Sequence, residues 1–170
     1  MSYNFKTDHD VTIRKGDIAL REDGVILFFS WNIQDHPNNQ ATQATECNTW
    51  FEITRRMEAI VDENGYVIQR PYRDVIVPRT PGIHVEYAGR PDYAAAQGQP
   101  GINPDHLITC SLQWNEKTAN VEVNDEFMIG DFTYRVVNIS MAEVHINKEY
   151  GTLVLNARRV AGGEHREIEW

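Results

Sequence analysis

Val121-Glu-Val-Asn-Asp-Glu-Phe-Met-Ile-Gly-Asp-Phe-Thr-Tyr-Arg-Val-Val-Asn-Ile-Ser140, continued after three residues by Val144-His-Ile-Asn-Lys-Glu-Tyr-Gly-Thr-Leu-Val-Leu-Asn-Ala-Arg-Arg-Val160, decides the fold class. Apolar side chains alternate with polar ones at Phe127 and Ile129, at Phe132, Tyr134 and Val136, at Val144 and Ile146, and at Leu153 and Leu155. A period of two places alternate side chains on one face, so the stretch reads as three or four half-buried antiparallel strands. Gly130-Asp131 suits a tight hairpin, and Asn147 to Gly151 a longer turn with a glycine available for positive φ. The stretch carries no nucleophile–base pair, metal-ligand cluster or phosphate loop. It reads as scaffold.

The rest of the chain extends the same pattern. Leu107 to Trp114 is the preceding strand. Pro78 to Pro104 holds five of the seven prolines, so it is expected to break regular structure, leaving a strand at Ile83 to Tyr87 and room for one helical turn at Pro91 to Gln97. Asp74 to Val77 is a separate strand. Trp50 to Asp62 fits strand alternation, and Ile53, Met57, Ile60 and Val61 also fit a helical stripe. Asn64-Gly65 and the return Tyr66-Val-Ile-Gln-Arg70 decide for a hairpin, which leaves Arg55 on the apolar face. Asp35 to Asn48 is almost all amide and hydroxyl, and is expected to be a long polar loop that orders against a neighbouring subunit. Asp23-Gly24 marks a hairpin whose return strand, Val25 to Ile33, is so continuously apolar that both its faces should be buried. Val11 to Arg14 is a short strand, 1–10 an N-terminal arm and 161–170 a C-terminal tail. The expectation is a single all-β domain over 1–170. It is a small antiparallel β-barrel or sandwich with long loops and at most one short helix.

A chain of 170 residues with 41% apolar content can fill one core without staples. No apolar run approaches membrane-spanning length, and the polar N-terminus has no signal core, which points to a protein assembled in the cytoplasm. Cys47 and Cys110 show no pairing pattern and read as free thiols. A net charge of −9 argues against a sequence-independent grip on nucleic acid, although Arg55-Arg56 and Arg158-Arg159 form local basic clusters. These arginines are expected to pair with carboxylates within the chain or across a subunit boundary. His9, His36 and His106 stand beside aspartates without metal-ligand spacing, and Cys110 stands four residues from His106, two pleats away. No metal, cofactor or catalytic group is therefore expected. The rival enzymatic reading is a carbohydrate-active site on a β-sandwich, with Glu52 and Glu58, or Asp125 and Glu126, as candidate cleft acids and Trp50 as a sugar platform beside the first pair. A third reading is a nucleic-acid-binding barrel using the four clustered arginines.

Three segments resemble structural proteins of tailed bacteriophages: Ser30-Trp-Asn-Ile-Gln-Asp-His-Pro-Asn-Asn-Gln40, Val85-Glu-Tyr-Ala-Gly-Arg-Pro-Asp-Tyr93, and Phe132-Thr-Tyr-Arg-Val-Val-Asn-Ile139 with Glu149-Tyr-Gly-Thr-Leu-Val-Leu-Asn-Ala-Arg-Arg-Val-Ala-Gly-Gly163. The last pair is similar to the closing strands of head–tail joining proteins, also called head-closure or stopper proteins. The resemblance runs as a hairpin pattern from about Gly16 to Gly163. It implies a mostly β virion protein that assembles as a homo-oligomeric ring between portal or adaptor and tail, lining or closing a channel through which genomic DNA passes without specific binding. A tail-completion or terminator position is the variant of this reading, since the chain is longer than the smaller members. Contacts to other subunits or neighbours are expected from the polar loop, at Pro37, Asn38, Asn39, Gln40, Thr42 and Gln43, and from the Pro/Gly segment, at Arg90, Asp92 and Tyr93.

Overall fold

The computed structural model describes residues 2–7, 12–29, 34–36, 39–86 and 107–160. Among them the strands are β1 (Ser2–Thr7), β2 (Ile18–Leu20), β3 (Ile26–Phe28), β4 (Gln34–His36), β5 (Asn39–Glu46), β6 (Thr49–Met57), β7 (Ile60–Val61), β8 (Val67–Gln69), β9 (Tyr72–Glu86), β10 (Leu107–Gln113), β11 (Glu126–Ile129), β12 (Phe132–Val144) and β13 (Gly151–Arg159). A single 3₁₀ turn, Thr118–Asn120, interrupts the all-β pattern of the described residues.

Six of the strands close an antiparallel barrel in the order β10-β13-β12-β11-β6-β9. The opening stretch supplies three of its staves. Of the residues the alternation assigns inward, Phe127, Tyr134, Val136, Leu153 and Leu155 are buried, and Ile129 and Val144 pack partly buried against them. Phe51, Ile53, Val77, Ile108 and Leu112 join them, whereas Phe132 at 43% exposure and Ile146 at 90% face water. Phe127 meets Phe51 edge-on at 5.4 Å and stacks on Tyr134 at 5.9 Å. A small barrel of this kind is filled by its own side chains and encloses no passage.

A second sheet has the order β1-β5-β3-β2, with β4 also pairing β5. Leu27, Phe29 and Ala44 form its own small core, against which Tyr3, Ile13, Ala19 and Val25 pack. Leu27 and Phe28 are both buried although they point to opposite faces, as the continuous apolar run predicts. The sheet seats on the barrel through Gly16, where an added Cβ would fall 1.9 Å from the Gly151 carbonyl oxygen, so only glycine permits the approach. Lys15 pairs with Glu143 at 3.2 Å, and the Arg14 guanidinium lies 5.3 Å from the Tyr150 ring centroid. Asn48 fastens the junction further: its amide exchanges two 2.9 Å hydrogen bonds with the backbone N–H and carbonyl of His84.

Four expectations are corrected. The polar segment 35–48 is not a loop, because β4 and β5 occupy it. Thr42 and Ala44 alternate inward while Gln43 points out, and ladders with β1 and β3 satisfy the backbone. Small and β-branched side chains suffice on a thin sheet, where large apolar ones are not needed. The N-terminal arm is β1 over Ser2–Thr7. Thr12 to Arg14 lies in no strand and leads instead into a turn in which the Arg14 N–H donates to Asp17 Oδ2 at 2.7 Å. Finally, Pro78 and Pro81 do not divide the chain, since β9 runs unbroken from Tyr72 to Glu86. Its ladder with β6 shifts register between Phe51 and Ile53 and again between Ile53 and Thr54. β10 pairs it only from Gly82 onward, so neither proline is asked for a hydrogen bond on that side. The helical turn at Pro91 to Gln97 and the tail 161–170 lie outside the described residues.

Both cysteines are free, and Cys110 is fully buried in the barrel core. Burial pushes the Cys110 thiol up to about 12 and the Cys47 thiol up to about 11. Because the thiolate is the reactive form, neither is expected to react with a disulfide reagent in the native protein at pH 8, and both should react once it is unfolded. A pKa raised on folding gives stability that is complete below the unfolded value of about 9 and is lost as pH rises towards 12. Urea midpoints should therefore fall progressively above about pH 9. Prompt native labelling of Cys110 would show that the core is open.

Candidate functional site

The β6–β9 ladder does not stop at the barrel. Beyond Met57↔Tyr72 the two chains continue as β7 and β8, with Ile60 opposite Gln69 and Val61 opposite Val67. The whole of 49–82 is one long hairpin whose end projects as a two-stranded arm. Its tip is the loop the sequence predicts: the Gly65 N–H donates to the Asp62 carbonyl at 3.0 Å, and Gly65 has φ +84°. Asp62 Oδ1 also accepts the backbone N–H groups of Asn64 and Tyr66, at 2.9 and 2.8 Å. The arm exposes Ile60, Val61, Tyr66, Val67 and Ile68, with Tyr66 at 73% and Ile68 at 69%. Isolated two-stranded ribbons are marginal in water, and this one leaves its apolar side chains wet on both faces.

Charged side chains anchor the arm's base. Arg55, the cation on the apolar face of β6, reaches the turn before β11. Its Nε and Nη2 donate to Asp125 Oδ1 and Oδ2 at 2.8 and 3.0 Å, Nη2 also donates to the Asn120 carbonyl at 2.8 Å, and Nη1 lies 3.1 Å from Glu122 Oε1. Asp125 is 1% exposed and accepts in addition the Glu122 backbone N–H at 2.8 Å. The Asp125 hydrogen bonds raise the Arg55 pKa above its ordinary value, against the opposing effect of burial. On the outer face Glu126, 8% exposed, bridges Arg73 of β9 and Arg135 of β12 at 3.0 and 2.9 Å. Both strands of the arm are thus tied to β11 where they leave the barrel. The cluster borders an open cleft of about 300 Å³.

The residues singled out from sequence fall elsewhere. Asn39, Gln40, Thr42 and Gln43 belong to β5, with Thr42 buried and Gln43 exposed. Thr42 is therefore a packing position rather than a contact, because its side chain faces into the sheet. Pro37, Asn38, Arg90, Asp92 and Tyr93 lie outside the described residues. The arm was legible as a hairpin, from Asn64-Gly65 and the flanking alternation. Its projection was not, since sequence does not show where a ladder loses its neighbours.

For the carbohydrate reading, Glu52 and Glu58 are both exposed. The stretch from Glu52 to Met57 alone spans roughly 16 Å at the rise of a strand, well beyond the ~9.5 Å limit for an acid–base carboxylate pair. Neither Glu52 nor Glu58 lines the cleft above or that of about 450 Å³ between β9 and Asn115–Lys117. Asp125 and Glu126 do line the former, but Asp125 is held by Arg55 and Glu126 by Arg73 and Arg135. The Trp50 face is covered by Arg79, whose guanidinium stands 5.0 Å from the ring centroid. His106, the partner considered for Cys110, lies outside the described residues. Among the described residues no group of three or more His, Cys, Asp or Glu side chains could hold a metal ion. Comparison of the chain with family models, with curated proteins and with solved structures finds no match in any of the three.

Proposed function

We propose that the protein is a structural component of a tailed-bacteriophage virion, forming an oligomeric ring in the neck that joins portal and head to tail and lines or closes the DNA channel. The observation that carries this reading is the projecting arm. An exposed apolar ribbon tied at its base by arginines to two buried carboxylates, Asp125 and Glu126, suits a subunit that completes itself by assembly. The phage-like segments, Phe132 to Ile139 and Glu149 to Gly163, supply the barrel staves β12 and β13. Because the barrel interior is packed, the conduit in this reading lies between subunits. The net charge of −9 suits a wall past which DNA slides without adhering.

Imaging of purified virions tests the proposal. The expected result is a ring of this chain around a central channel at the portal–tail junction. A ring at the distal end of the tail tube would favour the tail-completion variant. Absence of the chain from purified virions would overturn both.

A further inference from the structure

The arm's tip and the barrel's outer wall are opposite in character. The tip carries Asp62 and Glu63 among exposed apolar residues, with Glu58 and Arg70 near its base. The wall carries a belt of arginines. Register places Arg56 opposite Arg73, Thr54 opposite Glu126, Glu126 opposite Arg135, and Arg135 opposite Arg158. Paired residues share a face, so four arginines cross five adjacent strands with one carboxylate, Glu126, among them. Glu126 is already shared between Arg73 and Arg135, while exposed Arg158 has no carboxylate partner among the described residues. Like charges facing each other across a ladder are unfavourable unless an anion stands between them. Met128 and Val137 project from the same wall at 57% and 37% exposure.

We infer that the acidic, apolar tip of one subunit docks on the arginine belt of a second copy of this chain, around Arg158, Met128 and Val137. This deepens the ring reading and rests on it. Tip and belt are different surfaces of one chain, so the contact is heterologous and repeats from subunit to subunit, the geometry that generates closed rings. Val61, Val67 and Ile68 supply the apolar anchor, and Glu63 answers Arg158 with charge-assisted bonds. The overall acidity of the chain favours an acidic protein surface over a nucleic-acid backbone as the belt's occupant.

The test uses the full chain and two variants: a tip variant, Val67→Glu with Ile68→Glu, and a belt variant, Met128→Glu with Arg158→Glu. Near-ultraviolet circular dichroism and urea midpoints confirm that each keeps the native fold. Sedimentation velocity at about 100 µM, well above the micromolar range typical of modest interfaces, reads the assembly. The wild-type chain is expected to self-associate, and each variant alone to do so roughly a hundredfold more weakly, a ΔΔG of about 2.7 kcal/mol. An equimolar mixture of the two variants is expected to form a dimer and nothing larger, since it contains one intact tip and one intact belt per pair. A monomeric wild type, variants that assemble normally, or a mixture that stays monomeric would each overturn the inference. So would salt-sensitive binding of duplex DNA that is lost in the belt variant while self-association is unchanged. A virion ring in which tip and belt lie apart removes this inference and leaves the ring reading standing. Tip–belt dimers from a chain absent from virions would do the reverse.

Discussion

Replacing Phe127 with alanine is expected to lower the free energy of unfolding by about 3–5 kcal/mol, the loss typical of emptying a buried aromatic position. Phe127 is 2% exposed and its ring sits between Phe51 of β6 and Tyr134 of β12. Removing it withdraws the shared neighbour of two other aromatic residues. The walls around the resulting cavity are hydrogen-bonded ladders closed on themselves, so they cannot move inward as a loop or a helix end could. The loss should therefore fall in the upper part of that range. Phe127→Leu, which keeps most of the volume, should cost about 1 kcal/mol. Urea titration at unchanged m-value separates lost stability from a changed unfolded state. A loss below about 1 kcal/mol for the alanine variant would mean that the three rings do not form the barrel's core.

The legible parts of this fold are those where one face meets water and the other meets large apolar side chains. β11, β13 and the middle of β12 are of this kind, and period two gives their inward residues. It fails at Phe132, which is exposed, and beyond Val136, where the β12–β13 ladder twice shifts register. β5 is not. Its buried positions are Thr42 and Ala44, which carry too little apolar surface to stand out among glutamines and threonines. Its order comes from β1, β3 and β4 on its two sides, partners that lie elsewhere in the sequence. From sequence β9 reads as two strands, Asp74 to Val77 and Ile83 to Tyr87, because proline usually ends a ladder. Here Pro78 and Pro81 stand beyond the end of the β10 ladder, where a missing N–H costs nothing on that side.

The candidate site divides in the same way. The arm's turn is local and was visible at Asn64-Gly65. The clamp at its base joins residues 70 apart in the chain. Sequence marked Arg55 only as a charge misplaced on an apolar face, and that misplacement was the one local sign of a buried partner. Of the arginine belt, sequence shows Arg56 and Arg158 only as members of two separate basic pairs. Their alignment with Arg73 and Arg135 arises from register across five strands, and no two belt members are adjacent in sequence.

Replacing Arg55 with alanine is expected to cost about 2–4 kcal/mol. Breaking a buried pair by removing one partner typically costs 3–5 kcal/mol, and the range is lowered here because the Arg55 side chain is 27% exposed and so partly solvated. The loss is that of stranding an anion. Asp125, almost without water contact, would keep the Glu122 backbone N–H and lose both guanidinium bonds. Arg55→Lys keeps the charge without the two-pronged fork and should fall between wild type and alanine. Removing the carboxylate as well, in Arg55→Ala with Asp125→Ala, should recover part of the loss. A double-mutant cycle should then give a coupling of at least about 1 kcal/mol. The consequence reaches the arm, since Arg55 ties β6 to β11 at the point where the hairpin leaves the barrel. Hydrogen exchange at Arg56 to Gln69 should therefore quicken in Arg55→Ala more than exchange in β13 does. Equal changes in both would mean that the clamp supports the barrel as a whole and does not hold the arm in place.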